Sequence, residues 1–92
     1  MTRKRSKLEI YLDILKVIKK GVNKPTRIMY STNLSWTPLK NILSSMLEQK
    51  LIAEERIGNR KVYHITEKGM NGLRYFNKMR DLMIVEPSRT RK

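Results

Sequence analysis

Residues 35–49 read SWTPLKNILSSMLEQ. Leu39, Ile42, Leu43, Met46 and Leu47 recur there at steps of three and four, the spacing that gathers side chains on one face of an α-helix. Ser35 stands at the N-cap of a helix over about 36–49, and Pro38 then falls at the third helical position, where an N–H would have no intrahelical acceptor. The opposite face carries Thr37, Lys40, Asn41, Ser44 and Glu48. What this polar face is for depends on its neighbours.

Upstream, Lys24-Pro25-Thr26 puts a proline in the first turn of a short helix that carries Ile28, Met29 and Tyr30 and ends near Asn33. Leu34 and Ser35 leave only a short turn between this helix and the next. Downstream, residues 51–56 and 61–65 are two strand-like runs around Ile57-Gly58-Asn59-Arg60, a hairpin whose tight turn is Gly58-Asn59. Thr66 caps a last helix through about residue 84, with Met70, Leu73, Phe76 and Met83 on one stripe and Tyr75, Met79 and Leu82 beside it. At the other end, Ser6-Lys7-Leu8-Glu9 has the spacing of a capping box and opens a helix over residues 6–20, with Gly21 at its stop. The order helix, helix, helix, hairpin, helix makes a mainly α fold with a small β-hairpin: the winged helix-turn-helix plan.

The chain has 92 residues, with 21 Lys plus Arg against 8 Asp plus Glu, a net charge of +13. It reads as one small basic domain over 6–84, with a basic arm over 1–5 and a basic tail over 85–92. There is no cysteine and a single histidine, which leaves no ligand set for a zinc site, and no cofactor or small-molecule ligand is expected. No apolar run reaches membrane-spanning length and no signal-peptide core follows the N-terminus, so a cytoplasmic protein is expected. The acids are scattered, and Glu54 and Glu55 alternate across a strand, so neither paired carboxylates nor a nucleophile with its base is in view. An enzyme is not expected.

Four segments resemble a family: Ser6-Lys7-Leu8-Glu9-Ile10, Thr26-Arg27-Ile28-Met29-Tyr30, Asn33-Leu34-Ser35-Trp36 and Thr66-Glu67-Lys68-Gly69. Together they are similar to the archaeal winged-helix proteins typified by the small ten-kilodalton crenarchaeal DNA-binding protein and ArnR-like regulators, over roughly residues 5–80. The resemblance implies DNA binding, and dimerisation through an antiparallel coiled coil of the last helix. Lys50 stands where those relatives tend to have glycine, and the last helix is short for a long coiled coil.

The residues carry a functional reading of their own. The second helix of a helix-turn-helix enters the major groove, which makes Thr37, Lys40, Asn41 and Ser44 candidates for base contacts. Lysine can donate to guanine, asparagine can pair with adenine, and a threonine methyl can meet that of thymine. The bland alternative is a solvated helix face, and no arginine stands on it. Arg56, Arg60 and Lys61 flank the hairpin tip as phosphate contacts, or serve there as charges that keep an edge hairpin soluble. Arg27 and Ser31, and the arm residues Arg3, Lys4 and Arg5, are further phosphate candidates. Trp36 is expected to anchor the core, with backbone contact or stacking on DNA as its alternative, and Tyr30 to pack with its hydroxyl at the surface. Tyr63 and Ile65 are expected in the core, and His64 as an ordinary strand residue.

Helices 1 and 4 have more apolar surface than one core contact needs. If Leu8, Tyr11, Leu15 and Ile18 serve the core, Ile10, Ile14 and Val17 need another partner, and Tyr75, Met79 and Leu82 supply the matching excess. A symmetric homodimer through helices 1 and 4 is therefore expected, with two recognition helices on half-sites about 34–36 Å apart or a multiple of that. Two function classes follow: a dimeric double-stranded-DNA-binding protein, as transcription regulator or sequence-nonspecific nucleoid organiser, and a winged-helix module that binds protein or RNA.

Overall fold

A computed structural model describes the backbone of residues 5–90 and the side-chain surroundings of residues 5–82. Four helices, α1 (Lys7–Lys19), α2 (Pro25–Thr32), α3 (Trp36–Glu48) and α4 (Glu67–Thr90), surround an antiparallel pair, β1 (Ile52–Ile57) and β2 (Arg60–Ile65). This is the winged helix-turn-helix order.

Local chemistry sets the boundaries. Ser6 and Glu9 form the capping box reciprocally, with Ser6 N–H donating to Glu9 Oε1 at 2.8 Å and Glu9 N–H to Ser6 Oγ at 3.1 Å. The first three helices end alike, on a positive-φ residue: Gly21 (106°), Asn33 (59°) and Lys50 (63°). After α3, Lys50 N–H donates to Leu47 O and Leu51 N–H to Met46 O, both at 3.0 Å, the pattern of a Schellman motif. Lysine pays a steric penalty in that conformation that glycine would not. Lys50→Gly is expected to raise stability by about 0.5–1 kcal/mol, read as a higher urea midpoint.

The hairpin pairs Ile52 with Ile65, Glu54 with Tyr63, Arg56 with Lys61 and Ile57 with Arg60. Gly58 at φ 62° makes the two-residue connection. Asn23 O accepts from Tyr63 N–H at 2.9 Å, so the α1–α2 connection lies against the outer edge of β2.

The core gathers Ile14, Leu15, Ile18, Ile28, Leu39, Leu43, Met46, Ile52, Tyr63 and Leu73. Tyr11 ties α1 to α3 through a 2.6 Å hydroxyl contact with Ser45 Oγ, and Gln49 Nε2 donates to both oxygens. Thr66 pins α4 to the end of α3. Its hydroxyl reaches Lys50 O (2.7 Å) and Leu51 O (2.9 Å) and accepts from Gly69 N–H at 3.1 Å. Gly69 packs against that same strand of backbone, where an added Cβ would overlap the Leu51 carbonyl oxygen and come within 2.9 Å of Ile65 Cγ1.

Several expectations are corrected. Ile14, expected at a dimer surface, is 0% exposed at the centre of the core, whereas Leu8, expected inside, is 47% exposed. The reason is that α1 packs against α2, α4 and β2 at once, so its wide apolar arc is consumed within the chain; Ile10 and Val17 pack against the same core. Trp36, expected as a core anchor, is 45% exposed, and Tyr30, expected to pack with only its hydroxyl at the surface, is 78% exposed. Ser35 is the N-cap of α3 but makes no side-chain cap bond, and Pro38 at the third position removes one of the two N–H groups that could give one. The fourth helix runs on to Thr90, into the segment expected as a solvated tail. Met83, expected on its core stripe, lies outside the residues whose side chains are described.

Candidate nucleic-acid interface

Thr37, Lys40, Asn41 and Ser44 are all exposed, on the side of α3 opposite buried Leu39, Leu43 and Met46. Among the described residues nothing covers them, because α3 is held from behind by α1 through Tyr11 and from its C-terminal end by β1. A groove separates α3 from the hairpin. Trp36, Lys40 and Ser44 line one side and Glu54, Lys61 and Tyr63 the other, with Pro25 among the lining residues.

Antiparallel register sorts the hairpin's cations. Arg56 and Lys61 are partners on the strand face that carries Glu54 and Tyr63, towards α3, whereas Arg60, opposite Ile57, belongs to the other face. All three are exposed, as is Ile57 at the tip. Lys61 Nζ sits 3.4 Å from Glu54 Oε2. Burial, followed by the nearby Glu54 carboxylate, pushes the Tyr63 phenol above its ordinary pKa. Glu54 is thus an acid inside a cationic groove, a member of the site that reading the sequence missed because strand alternation alone does not say which face meets α3. Removing its charge frees Lys61 from the 3.4 Å pair and makes the groove more positive. Glu54→Gln is expected to tighten duplex binding about three- to tenfold at 0.1 M salt, measured by fluorescence anisotropy.

Arg27 and Ser31 lie exposed on the outer face of α2, with Tyr30 between them. Tyr30 and Trp36 therefore put two large aromatic surfaces on either side of the helix-helix turn. Arg5 is not a free arm. Its guanidinium donates to Asp13 Oδ2 and to Thr32 O, each at 2.8 Å, and so clamps α1 to the end of α2. Arg3 and Lys4 lie outside the described residues. His64, exposed on β2, meets Glu55 Oε1 at 2.6 Å. Among the described residues no group of three or more acidic, histidine or cysteine side chains is placed to hold a metal ion, and no helix is long and apolar enough to cross a membrane.

On α4, Leu73 is buried against the core while Tyr75, Met79 and Leu82 are 62%, 39% and 65% exposed. At steps of four and three they form one outward apolar stripe, with the Tyr75 ring edge-on to Phe76 at 6.0 Å. Of the six residues expected at a dimer interface, these three alone stay substantially uncovered.

A family model described as winged helix-turn-helix matches residues 4–84. Two uncharacterised proteins of Methanocaldococcus jannaschii align over 66 residues, 72% of this chain: MJ0290 at 36% identity and MJ0287 at 33%. The aligned stretch spans 29% of MJ0290 and 64% of MJ0287. Among solved structures, the DNA-binding protein Sso10a-2 of Sulfolobus solfataricus superposes with a TM-score of 0.71 at 24% identity, covering 92% of both chains. MepR, a transcription regulator of a multidrug efflux pump in Staphylococcus aureus, gives 0.79 at 16% identity over 90% of this chain and 64% of its own. The homodimeric winged helix-turn-helix DNA-binding domain of Mb0332 from Mycobacterium bovis gives 0.66 at 20% identity, covering 90% and 75%.

Proposed function

Because the chain belongs to the winged helix-turn-helix family, we propose that it is a dimeric double-stranded-DNA-binding protein acting as a transcription regulator, with α3 in the major groove and the hairpin on the backbone. One observation carries the reading: the polar face of Thr37, Lys40, Asn41 and Ser44 is uncovered and lies beside the hairpin's cations. In this arrangement Lys40 and Asn41 read base edges, while Arg56, Arg60 and Lys61, with Arg27 and Ser31 on α2, neutralise or hydrogen-bond phosphates. The DNA-binding descriptions of Sso10a-2 and Mb0332 support this reading. Trp36, the single tryptophan, stands at the start of α3 and is the built-in reporter. Its fluorescence should change on titration with a duplex, and the apparent affinity should fall by about 0.9 log units per neutralised phosphate per log unit of salt. No fluorescence change and no gel shift at low salt would overturn the proposal. If Lys40→Ala and Asn41→Ala weaken every sequence equally, the protein is a nonspecific organiser instead.

The dimer follows from α4. Tyr75, Met79 and Leu82 present an apolar stripe that a two-fold related copy can cover, placing the two α3 helices for half-sites on one duplex. Light scattering should give twice the 11.0 kDa chain mass at micromolar concentration, reverting to monomer in Tyr75→Glu/Leu82→Glu. A monomeric parent chain would refute the dimer.

A further inference from the structure

A second cationic surface lies off the face formed by α3 and the hairpin. At the α1–α2 connection, Lys20, Lys24 and Arg27 border one shallow hollow. Along α1 and α4, Lys16, Lys19, Lys20 and Arg80 border another. Lys20 belongs to both, so the six cations form one band. Its lower end adjoins the proposed DNA face, since Lys24 immediately precedes Pro25, which lines the groove with Trp36 and Lys40.

The band carries more cations than acids. The ion pairs among the described side chains are Arg5 with Asp13, Lys61 with Glu54 and His64 with Glu55, and none of the six cations takes part. Asp81 borders the upper hollow beside its four cations, and Glu9 and Asp13 border the adjoining hollow that Lys16 and Arg80 also line, Asp13 there being paired with Arg5. Placement at a helix C-terminus accounts for Lys16 and Lys19, which occupy the last turn of α1 and complement its dipole. It does not account for Lys24 and Arg27 at the opposite end of a helix, nor for Arg80. Like charges left uncompensated repel one another, and a polyanion laid along them removes that cost.

We propose that this band binds the phosphates of the double-stranded DNA flanking the segment held by α3 and the hairpin, drawing the duplex up the side of the domain. The inference rests on the DNA-binding role argued above. The flank of the same duplex is favoured over a separate polyanion because the band begins at the residue next to the groove and continues from it without a break. Sequence-dependent bending would then add selectivity at positions α3 never touches.

The test compares a duplex of about 12 base pairs, little more than one helical turn, with one of about 40. The parent chain should bind the longer duplex more tightly, with a steeper salt dependence. Lys16→Gln/Lys19→Gln/Lys20→Gln should lower the salt slope on the long duplex by about 0.9 per lysine and leave affinity for the short one within about twofold. Arg80→Gln, on a different helix, should lower it by about 0.9 under the same conditions. End-to-end energy transfer across the long duplex should fall for both variants towards that of free DNA. Equal binding of both lengths by the parent, or equal weakening of both lengths by the variants, would overturn the inference while leaving the α3 reading intact. Capture of a second labelled duplex that is lost in the variants, with single-duplex binding unchanged, would assign the band to a separate duplex and overturn the flank. Failure of the parent to bind either length would remove the DNA-binding reading, and this one with it.

Discussion

Gly69→Ala is expected to destabilise the domain by about 3 kcal/mol or more, lowering its thermal midpoint by roughly 12–24 °C. The added methyl would overlap the backbone oxygen of Leu51, and backbone cannot swing aside as a side-chain tip can. That oxygen also accepts the Thr66 N–H at 3.2 Å and lies 2.9 Å from the Thr66 hydroxyl, so relief by moving Leu51 would break the joint between α3, β1 and α4. For a chain whose whole stability is on the order of 5–10 kcal/mol, this is a large fraction. Gly72, one turn further along the same helix, is the control. An added Cβ there meets nothing within 4 Å, and Gly72→Ala should raise stability by about 0.5–1 kcal/mol. Circular dichroism melts of the two variants separate steric overlap from helix propensity.

Removing the hairpin's cations together should have the largest effect on binding. Arg56→Ala/Arg60→Ala/Lys61→Ala is expected to lower the salt slope by up to about 2.7 and to weaken duplex binding several-hundred-fold at about 0.1 M salt, on all sequences alike. The two strand faces contribute differently. Arg60 loses its full contact, whereas Lys61 gives up part of its gain because Glu54 already screens it in the free protein. Single variants should therefore rank Arg60→Ala above Lys61→Ala. Exposure of all three argues that folding is unaffected, which an unchanged melting curve would confirm. Unaltered affinity would mean that the hairpin does not touch DNA.

Much of the fold was legible in local chemistry. The capping box, the proline-started second helix, the three-and-four spacing of α3 and the Gly58-Asn59 turn each dictate a short stretch of backbone, and their order leaves few alternatives. What periodicity could not assign was which arc of a broadly apolar helix faces inward. On α1, Leu8 and Ile14 sit on different stripes of comparable hydrophobicity, and only the positions of α2, α4 and β2 choose between them. Aromatic residues misled for a related reason. Trp36 and Tyr30 carry the same burial preference whichever way the helix turns, and their exposure comes from the rotation that buries Leu39 and Ile28. Arg5 looked like part of a charged arm because Asp13 and the Thr32 carbonyl are distant in sequence. The polar face of α3 was legible, since it is simply the complement of a well-defined apolar one. The role of Glu54 was not, because it depends on which side of the hairpin meets α3.

The central claim is that the uncovered side of α3 occupies the major groove. Its most direct test is the affinity of the protein for one duplex prepared twice, once unmodified and once with glucosylated hydroxymethylcytosine, which fills the major groove and leaves the phosphates unchanged. Loss of binding to the filled duplex by at least about tenfold at equal salt is predicted, while equal affinity for the two would contradict it.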